Sequence, residues 1–388
     1  MTGARRDPAP VAAARGEAGG EAAAREDVAA PTDVAGAPGS TATTTSPADP
    51  DTAALESDLR EGFFSDPPTV PPRWFYDEKG SLLFDRITRL AEYYPTRAEA
   101  EILRSRAVDI VGDASTMVEL GAGTCEKTRV LLDVFSRRTT APPAGTAPPA
   151  GTAPPAGAAA TAAGAPSEAS PLFVPVDIST EMLFDSARAL AAEYPGLRVE
   201  PVVADLTALD GPLPGEPGGR LVLFLGGTVG NFSEAQRADF LDMLRGVMDP
   251  GDRLGLGFDL VKDPARLVAA YDDAEGVTAE FNLNMLDVIA RTVECAGLDR
   301  VDFRHEAVWN ADESRIEMWL RAIRDVRIDF PTLGRSRTLD AGAGIRTEIA
   351  RKFEPDALMD ELAEHGFLRG PVWTDDAGDF GLALVVVD

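Results

Sequence analysis

Short apolar runs alternate with stretches of helical spacing through the middle of the chain. The runs lie at 116–120, 171–177, 197–205, 220–227 and 253–260. Each run is typical of a buried strand. Helices are predicted between them at 126–137, from the second run to about residue 193, and at 233–248, where Ser233 and Gln236 form a capping-box signature. Strands that alternate with helices predict an α/β fold with a doubly wound parallel sheet.

The pattern changes after Asp263. Two helical stretches at 264–275 and 281–296 precede two long strand-like runs, "VDFRHEAVW" and "RIEMWLRAIRDVRIDF". Long neighbouring strands favour antiparallel pairing and predict a second, α+β unit. A helix at 355–365 and two strands at 368–373 and 380–387 follow. This closing hairpin would complete the first sheet.

Two segments have a composition that does not favour packing. Residues 1–55 are rich in Ala, Pro, Gly and Thr, and residues 139–169 contain "APPAGT" twice in tandem. Such segments bury too little apolar surface to offset the entropy of ordering them. We expect a disordered tail and a solvated Pro/Ala/Gly insertion on the surface of the sheet.

Charge and composition argue against several classes of function. The formal net charge of −27 argues against a nucleic-acid partner. No segment approaches the roughly 18 apolar residues of a membrane span, and no signal core is present. Two cysteines and two histidines predict neither a disulfide framework nor a metal site. We expect a soluble cytoplasmic monomer.

The loop "VELGAGTCEKT" (118–128) follows the first predicted strand. It lacks the G-x-x-x-x-G-K-[ST] spacing of a phosphate-binding loop. A dinucleotide loop needs a third glycine where Glu126 stands, and that carboxylate would repel a pyrophosphate. NAD is therefore disfavoured. S-adenosylmethionine (SAM), which has no phosphate, fits better, because glycines allow the backbone to approach it closely.

Two acidic residues end the next strands. Asp177 could accept both ribose hydroxyls, and Asp205 could accept the adenine amino group. Either alone could be an ordinary turn or cap residue. Because open α/β sheets bind ligands at the carboxyl ends of their strands, the loop and both acids together predict a methyltransferase.

Several longer motifs resemble one family. They are "PPRWFYDEKGSLLFDRITRLAEYYPTRAEAEIL" (71–103), "ELGAGTCEKTRVLLD", "PVDIS", "LFLGGTVGNF", "GFDLVKD" and "AYDDAEGVTAEFNLN". The chain resembles, over residues 55–388, the histidine Nα-methyltransferases of ergothioneine biosynthesis. The resemblance implies a Rossmann-like class I methyltransferase domain (98–261 and 352–388). It also implies a smaller α+β substrate-binding domain (56–97 and 262–351).

The resemblance also implies roles for single residues. Tyr76 is the catalytic candidate that orients the amine, and Tyr93 lines the amino-acid pocket. Asn231 and Tyr271 would hold the substrate carboxylate, whereas Met318 and Glu348 would receive the imidazole. The cofactor-binding residues would be Gly121, Gly123, Lys127, Asp177 and Asp205.

One position departs from the family pattern. Histidine-specific members carry a serine two residues after the glutamate, and this chain has Ala350. The expected reaction is SAM-dependent conversion of L-histidine to its Nα-trimethyl betaine, hercynine. The same chemistry on another free amino acid, such as tryptophan or a derivative, is an alternative. A non-catalytic SAM-binding module is an alternative of another class.

Overall fold

The computed structural model describes residues 50–137 and 170–388. The predicted insertion at 139–169 and most of the predicted tail lie outside the described residues. The α-helices are α1 (Pro50–Asp58), α2 (Glu78–Ile87), α3 (Pro95–Val111), α4 (Arg129–Phe135), α5 (Thr180–Glu193), α6 (Glu234–Val247), α7 (Pro264–Tyr271), α8 (Val277–Thr292) and α9 (Pro355–Glu364).

The strands fall into three sheets. They are β1 (Thr116–Leu120), β2 (Leu172–Asp177), β3 (Arg198–Val199), β4 (Val202–Val203), β5 (Arg220–Phe224), β6 (Arg253–Asp259), β7 (Phe303–Asn310), β8 (Arg315–Ala322), β9 (Val326–Phe330), β10 (Arg335–Leu339), β11 (Gly344–Arg351), β12 (Phe367–Leu368), β13 (Val372–Thr374) and β14 (Phe380–Val387).

The large sheet has the order β12-β14-β6-β5-β1-β2-β3, and β4 also pairs with β2. Strands β6, β5, β1 and β2 are parallel neighbours. Strand β14 is antiparallel to β6 over seven residue pairs, and β12 and β13 pair with β14. The doubly wound, Rossmann-like sheet and its closing hairpin are therefore confirmed.

Both faces of this sheet are covered, as expected for parallel strands whose residues are apolar on both sides. All five residues of β1 and of β5 are buried. One face packs under α6 and α9 through residues such as Phe240 and Leu358. The other face packs under α3, α4 and α5 through Ile102, Leu132 and Leu190.

A third apolar cluster lies outside the sheet. Its buried members come only from 55–94 and 267–350. This part contains the antiparallel sheet β11-β8-β7, the β9-β10 hairpin and helices α1, α2, α7 and α8. The described residues from 50 to 388 nevertheless form one compact unit. The separate apolar cluster supports the proposed division into two domains, which stays a prediction.

Several predicted boundaries were wrong for identifiable reasons. The tail was predicted to reach residue 55, but α1 begins at Pro50 and Leu55 is fully buried in the third cluster. The strand predicted at 197–205 is interrupted at Pro201, which has no N–H to donate to β2. Helix α4 begins at Arg129 rather than Glu126, since Thr128 turns inward and donates to Glu119.

The run predicted as one strand at 315–330 is two strands. Strand β8 ends at Ala322, and β9 leaves to pair with β10. Strands β10 and β11 were not predicted. The capping box at Ser233 and Gln236 is confirmed, with both reciprocal hydrogen bonds present.

Candidate active site

The glycine loop after β1 turns across the end of β2. Gly121 and Gly123 have φ of 69° and 52°, in the left-handed region that favours glycine. The N–H groups of Gly121 and Ala122 both donate to the Val176 carbonyl, at 2.9 and 3.1 Å. A Cβ at Gly123 would meet nothing within 4 Å, so this side of the loop faces an open cleft.

Asp177 is fixed by that loop. Its Oδ2 accepts from the Gly123 N–H at 3.0 Å, and its Oδ1 accepts from the Ser179 N–H at 2.9 Å. Each oxygen keeps a second lone pair, which suits a ligand with two adjacent hydroxyls. The neighbouring Ile178 is 63% exposed and offers an apolar surface beside the carboxylate.

Asp205 follows β4, and its neighbour Leu206 lies against the glycine loop. Its Oδ1 accepts from the N–H and the hydroxyl of Thr207, and its Oδ2 has no partner in the described parts of the chain. The next residue, Leu206, would lie 3.5 Å from a Cβ at Gly121. The structure therefore brings the glycine loop, Asp177 and Asp205 to one edge of the sheet.

The ammonium group of Lys127 lies between the glycine loop and the loop after β5. Its Nζ lies 2.5 Å from Oε2 of the buried Glu99, whose Oε1 accepts from the Gly226 N–H at 2.6 Å. Gly226 belongs to the loop after β5. The ammonium group is thus anchored beside two glycine-containing loops and remains partly accessible to an anionic group of a ligand.

Tyr76, Tyr93 and Tyr271 form an aromatic cluster with Phe84, next to the third apolar cluster. The rings of Tyr93 and Tyr271 have centroids 6.2 Å apart, and Phe84 lies 5.6 Å from Tyr76 and 6.3 Å from Tyr93. Tyr76 is 45% exposed, although burial and the nearby Glu348 raise its pKa. This combination is expected for a phenol that faces a recess in the protein rather than the open surface.

Glu348, on β11, lies close enough to Tyr76, Tyr93 and Tyr271 for its charge to raise their pKa values, and these four side chains define the recess. A bulge at Thr347 places Glu348 directly opposite Met318 of β8. Burial raises the pKa of Glu348 to about 7, although Lys352 opposes the rise. No side chain or backbone group of residues 50–137 or 170–388 is hydrogen-bonded to this carboxylate. Half-buried acids without a partner are typical of functional sites.

Asn231 ends a short 3-10 turn, Thr228–Asn231, after β5. The turn packs against β11, and a Cβ on Gly230 would lie 2.7 Å from the Arg351 carbonyl. Glycine is therefore required at Gly230 for this approach. The contact brings Asn231 to the end of the strand that carries Glu348, and the Asn231 amide has no partner among the described residues.

Two polar residues that the sequence analysis did not select support this recess. Lys352 donates to the Tyr271 hydroxyl at 2.9 Å. His305 is buried, and its Nε2 lies 2.8 Å from the Tyr271 carbonyl, so Nε2 carries the proton and Nδ1 accepts from Asn282. Asn282 in turn accepts from Thr347, the bulge residue, at 2.7 Å. These contacts join residues far apart in the chain, so no local motif marks them.

The loop after β5 connects the two regions, because Gly226 lies beside Lys127 and Asn231 lies beside β11. This loop therefore connects the cleft beside the glycine loop with the recess beside Glu348. Both contain polar groups that have no hydrogen-bond partner among the described residues. In the described ranges, no group of three or more His, Cys, Asp or Glu side chains could hold a metal ion. No helix there has the length and apolar character to cross a membrane. Cys125 and Cys295 are both free thiols.

Comparisons with known proteins give a consistent family. The model of the SAM-dependent, histidine-specific methyltransferases matches residues 55–387. A histidine N-alpha-methyltransferase of Mycolicibacterium smegmatis is 45% identical over 341 residues, which cover 87% of this chain and 97% of that protein. One of Mycobacterium tuberculosis is 46% identical over 333 residues, covering 85% and 94%. Ergothioneine biosynthesis protein 1 of Neurospora crassa is 28% identical over 274 residues, covering 68% and 27%.

Proposed function

Because the chain belongs to the family of SAM-dependent, histidine-specific methyltransferases, we propose that it methylates the α-amino nitrogen of L-histidine. SAM is the methyl donor, and three transfers would give the trimethyl betaine hercynine, an intermediate of ergothioneine biosynthesis. The fungal relative named for that pathway supports this placement.

One observation carries the proposal. The Glu348 carboxylate faces the recess without a hydrogen-bond partner among the described residues, close to the neutral phenol of Tyr76 and to the charge of Lys352. Leaving a half-buried carboxylate unpaired costs free energy that a ligand N–H group can recover. An imidazole supplies such a group, and Met318 opposite Glu348 supplies an apolar contact for the ring.

We assign one set of residues to the amino acid and another set to SAM. Tyr271 and Asn231 would hold the α-carboxylate, and Glu348 would accept the imidazole N–H. Asp177 and Asp205 would hold the adenosine, and Lys127 would hold the cofactor carboxylate together with the backbone at Gly121 and Gly123. These two sets of contacts fix the amine and the cofactor relative to each other, which is the main requirement for methyl transfer.

When bound, SAM supplies an electrophilic methyl group on its sulfonium. The neutral amine would form the N–C bond as the S–C bond breaks and the demethylated cofactor leaves, and the nitrogen would lose a proton after the first and second transfers but not after the third, which gives a quaternary nitrogen. The raised pKa of Tyr76 keeps its phenol protonated, so Tyr76 orients the amine and does not act as a strong base. The released protons would leave through the open side of the recess, where Tyr76 is exposed.

Mass spectrometry of a reaction with purified protein, SAM and a mixture of the twenty amino acids tests this proposal. Trimethylated histidine is the expected product. Methylation of a different amino acid would keep the chemistry and change the substrate. SAM binding without methylation of any amino acid would support a binding module instead.

Replacing Tyr76 with phenylalanine is expected to lower kcat about 10-fold or more, with KM for SAM nearly unchanged, because one hydrogen bond to the amine is lost. Stopped reactions sampled over time should show mono- and dimethylhistidine accumulating. Identical rates for all three transfers in the variant would show that Tyr76 does not orient the amine.

Replacing Ala350 with serine is expected to lower KM for histidine about 3–10-fold, the usual contribution of one added hydrogen bond. Ala350 is buried and lies two residues from Glu348 on the same face of β11. Initial rates with histidine and tryptophan are compared in both proteins, with KM for SAM as the control. An unchanged preference would favour a substrate other than histidine.

Three broader proposals accompany this function. The division into a methyltransferase and a substrate-binding domain is supported by the separate apolar cluster. A cytoplasmic location agrees with two unpaired thiols. A monomeric state is an expectation that light scattering of the purified protein tests.

A further inference from the structure

The hydroxyl of Tyr271 is oriented by a buried lysine. Lys352 Nζ donates to the Tyr271 Oη at 2.9 Å, and both side chains are buried. An ammonium group has three donors and no acceptor, so the phenol oxygen must be the acceptor in this bond. The proton of the Tyr271 hydroxyl is therefore directed away from Lys352.

The protein offers no acceptor for that proton within the described ranges. Asp259 is the acid whose charge contributes most to the raised pKa of Tyr271, but its two oxygens already accept from Lys352, Lys262 and Tyr94 at 2.5–2.9 Å. The Tyr271 ring packs against Tyr93, and the charge of Glu348 contributes to the raised pKa of Tyr271. The phenol thus belongs to the recess that Glu348 faces, and its free proton is available to a ligand there.

Charge in this cluster also favours an anionic ligand. One carboxylate, that of Asp259, is shared by two ammonium groups, those of Lys262 and Lys352. The other nearby carboxylates compensate this excess only in part, because Asp379, which acts on Lys262, already pairs with Arg266, and Glu348, which acts on Lys352, has a pKa raised to about 7. Tyr271 and Asn231 are neutral, so the charge that attracts a substrate carboxylate must come from behind them.

We propose that Lys352 is a positioning residue that makes Tyr271 a hydrogen-bond donor to the α-carboxylate of the amino-acid substrate. This inference rests on the proposed function. It assigns to Lys352 the selection of amino acids over the corresponding amines.

The chain contains a matched control. Lys262 also pairs with Asp259, at 2.5 Å, but its other side-chain contact is the Tyr94 hydroxyl, at 2.7 Å, rather than Tyr271. A purely structural role in the ion cluster would be shared by both lysines. A role in substrate orientation belongs to Lys352 alone.

The test compares Lys352→Met with Lys262→Met in steady-state kinetics. We expect Lys352→Met to raise KM for histidine about 10–100-fold, as for loss of a hydrogen bond to a charged group, with KM for SAM unchanged. Lys262→Met should change KM for histidine less than about 3-fold. An equal rise in both variants would overturn the proposal. Should Lys352→Met not fold, Lys352→Leu, which also removes the donor and the charge, replaces it with the same expected rise.

A double-mutant cycle with Tyr271→Phe shows whether Lys352 acts through the hydroxyl. If it does, adding Lys352→Met to Tyr271→Phe changes KM for histidine little further. If the rise in KM for histidine in the double variant equals the product of the rises in the two single variants, the proposal is wrong. If the unmodified protein methylates another amino acid, the proposed substrate fails, and the same cycle is run with that amino acid because the carboxylate is common to all. If no amino acid is methylated, both proposals fall.

Discussion

Replacing Glu348 with glutamine is expected to lower kcat/KM for histidine about 100-fold, with SAM affinity unchanged, because a charge-assisted hydrogen bond contributes about 1.5–3 kcal/mol. Glutamine keeps the size of the side chain and removes its charge. The imidazole N–H would then meet a weaker acceptor, and the amide N–H₂ group could face the ring instead. Steady-state rates and SAM titration by calorimetry measure the two effects separately.

The same substitution should make the protein more stable above neutral pH. Burial raises the pKa of Glu348 to about 7, so the folded protein holds this proton over a range where the unfolded chain has lost it. Stability therefore falls as pH rises from the unfolded pKa toward the folded one, and the full penalty is present above it. We expect Glu348→Gln to raise Tm by about 2–4 °C near pH 8, with a gap that narrows near pH 5.

Glu306 provides the control for that measurement. Its pKa is lowered, chiefly by the hydrogen bond from Arg321, so its charge stabilises the fold. Glu306→Gln should lower Tm near pH 8, the opposite sign to Glu348→Gln. A Glu348→Gln variant that is less stable than the parent and fully active would contradict the assigned role.

Elements with a strong local pattern could be predicted from the sequence. The bounds of β1 are those of its apolar run, and the capping box marked the start of α6 within one residue. The glycine loop, Asp177 and Asp205 were predicted to lie close together because the carboxyl ends of parallel strands lie at the same edge of the sheet. Pro201 was visible in the sequence as well, and its missing N–H could have predicted the break between β3 and β4.

The supporting contacts of the recess could not be predicted in that way. Lys352 and Tyr271 are 81 residues apart, and their contact requires both the β8-β11 pairing and the bulge at Thr347. A shift of one residue in that pairing would turn Glu348 to the opposite face. His305 reads as an ordinary strand residue, since its partners Asn282 and the Tyr271 carbonyl lie on separate elements.

Replacing Asp259 with asparagine is expected to lower the free energy of unfolding by about 3–5 kcal/mol near neutral pH, since removing one partner leaves buried charges uncompensated. Asp259 is 4% exposed and accepts from Tyr94, Lys262 and Lys352. Burial alone would raise the pKa of Asp259, but the two lysines outweigh it and hold the pKa below its ordinary value. Equilibrium denaturation in urea measures the loss.

The pH dependence gives this prediction its sign. A carboxyl whose folded pKa is lowered stabilises the protein above its unfolded pKa, and this contribution is lost as pH falls through the folded pKa. The difference between Asp259→Asn and the parent should therefore be full near neutral pH and shrink in strong acid. Asp85→Asn is the control, because the Asp85 side chain is 46% exposed and, among the residues that the structure describes, forms an ion pair only with Arg89. That pair should contribute less than about 1 kcal/mol.

Activity measurements on Asp259→Asn distinguish two roles of Asp259. It holds Lys352 beside Tyr271, and it also joins β6 of the large sheet to Tyr94 at the start of α3. If Asp259 serves both, the folded fraction of Asp259→Asn should show a raised KM for histidine in addition to its lower stability. A loss of stability below about 1 kcal/mol would mean that the buried cluster contributes no more than a surface pair. In that case the apolar clusters alone would hold the recess beside the sheet.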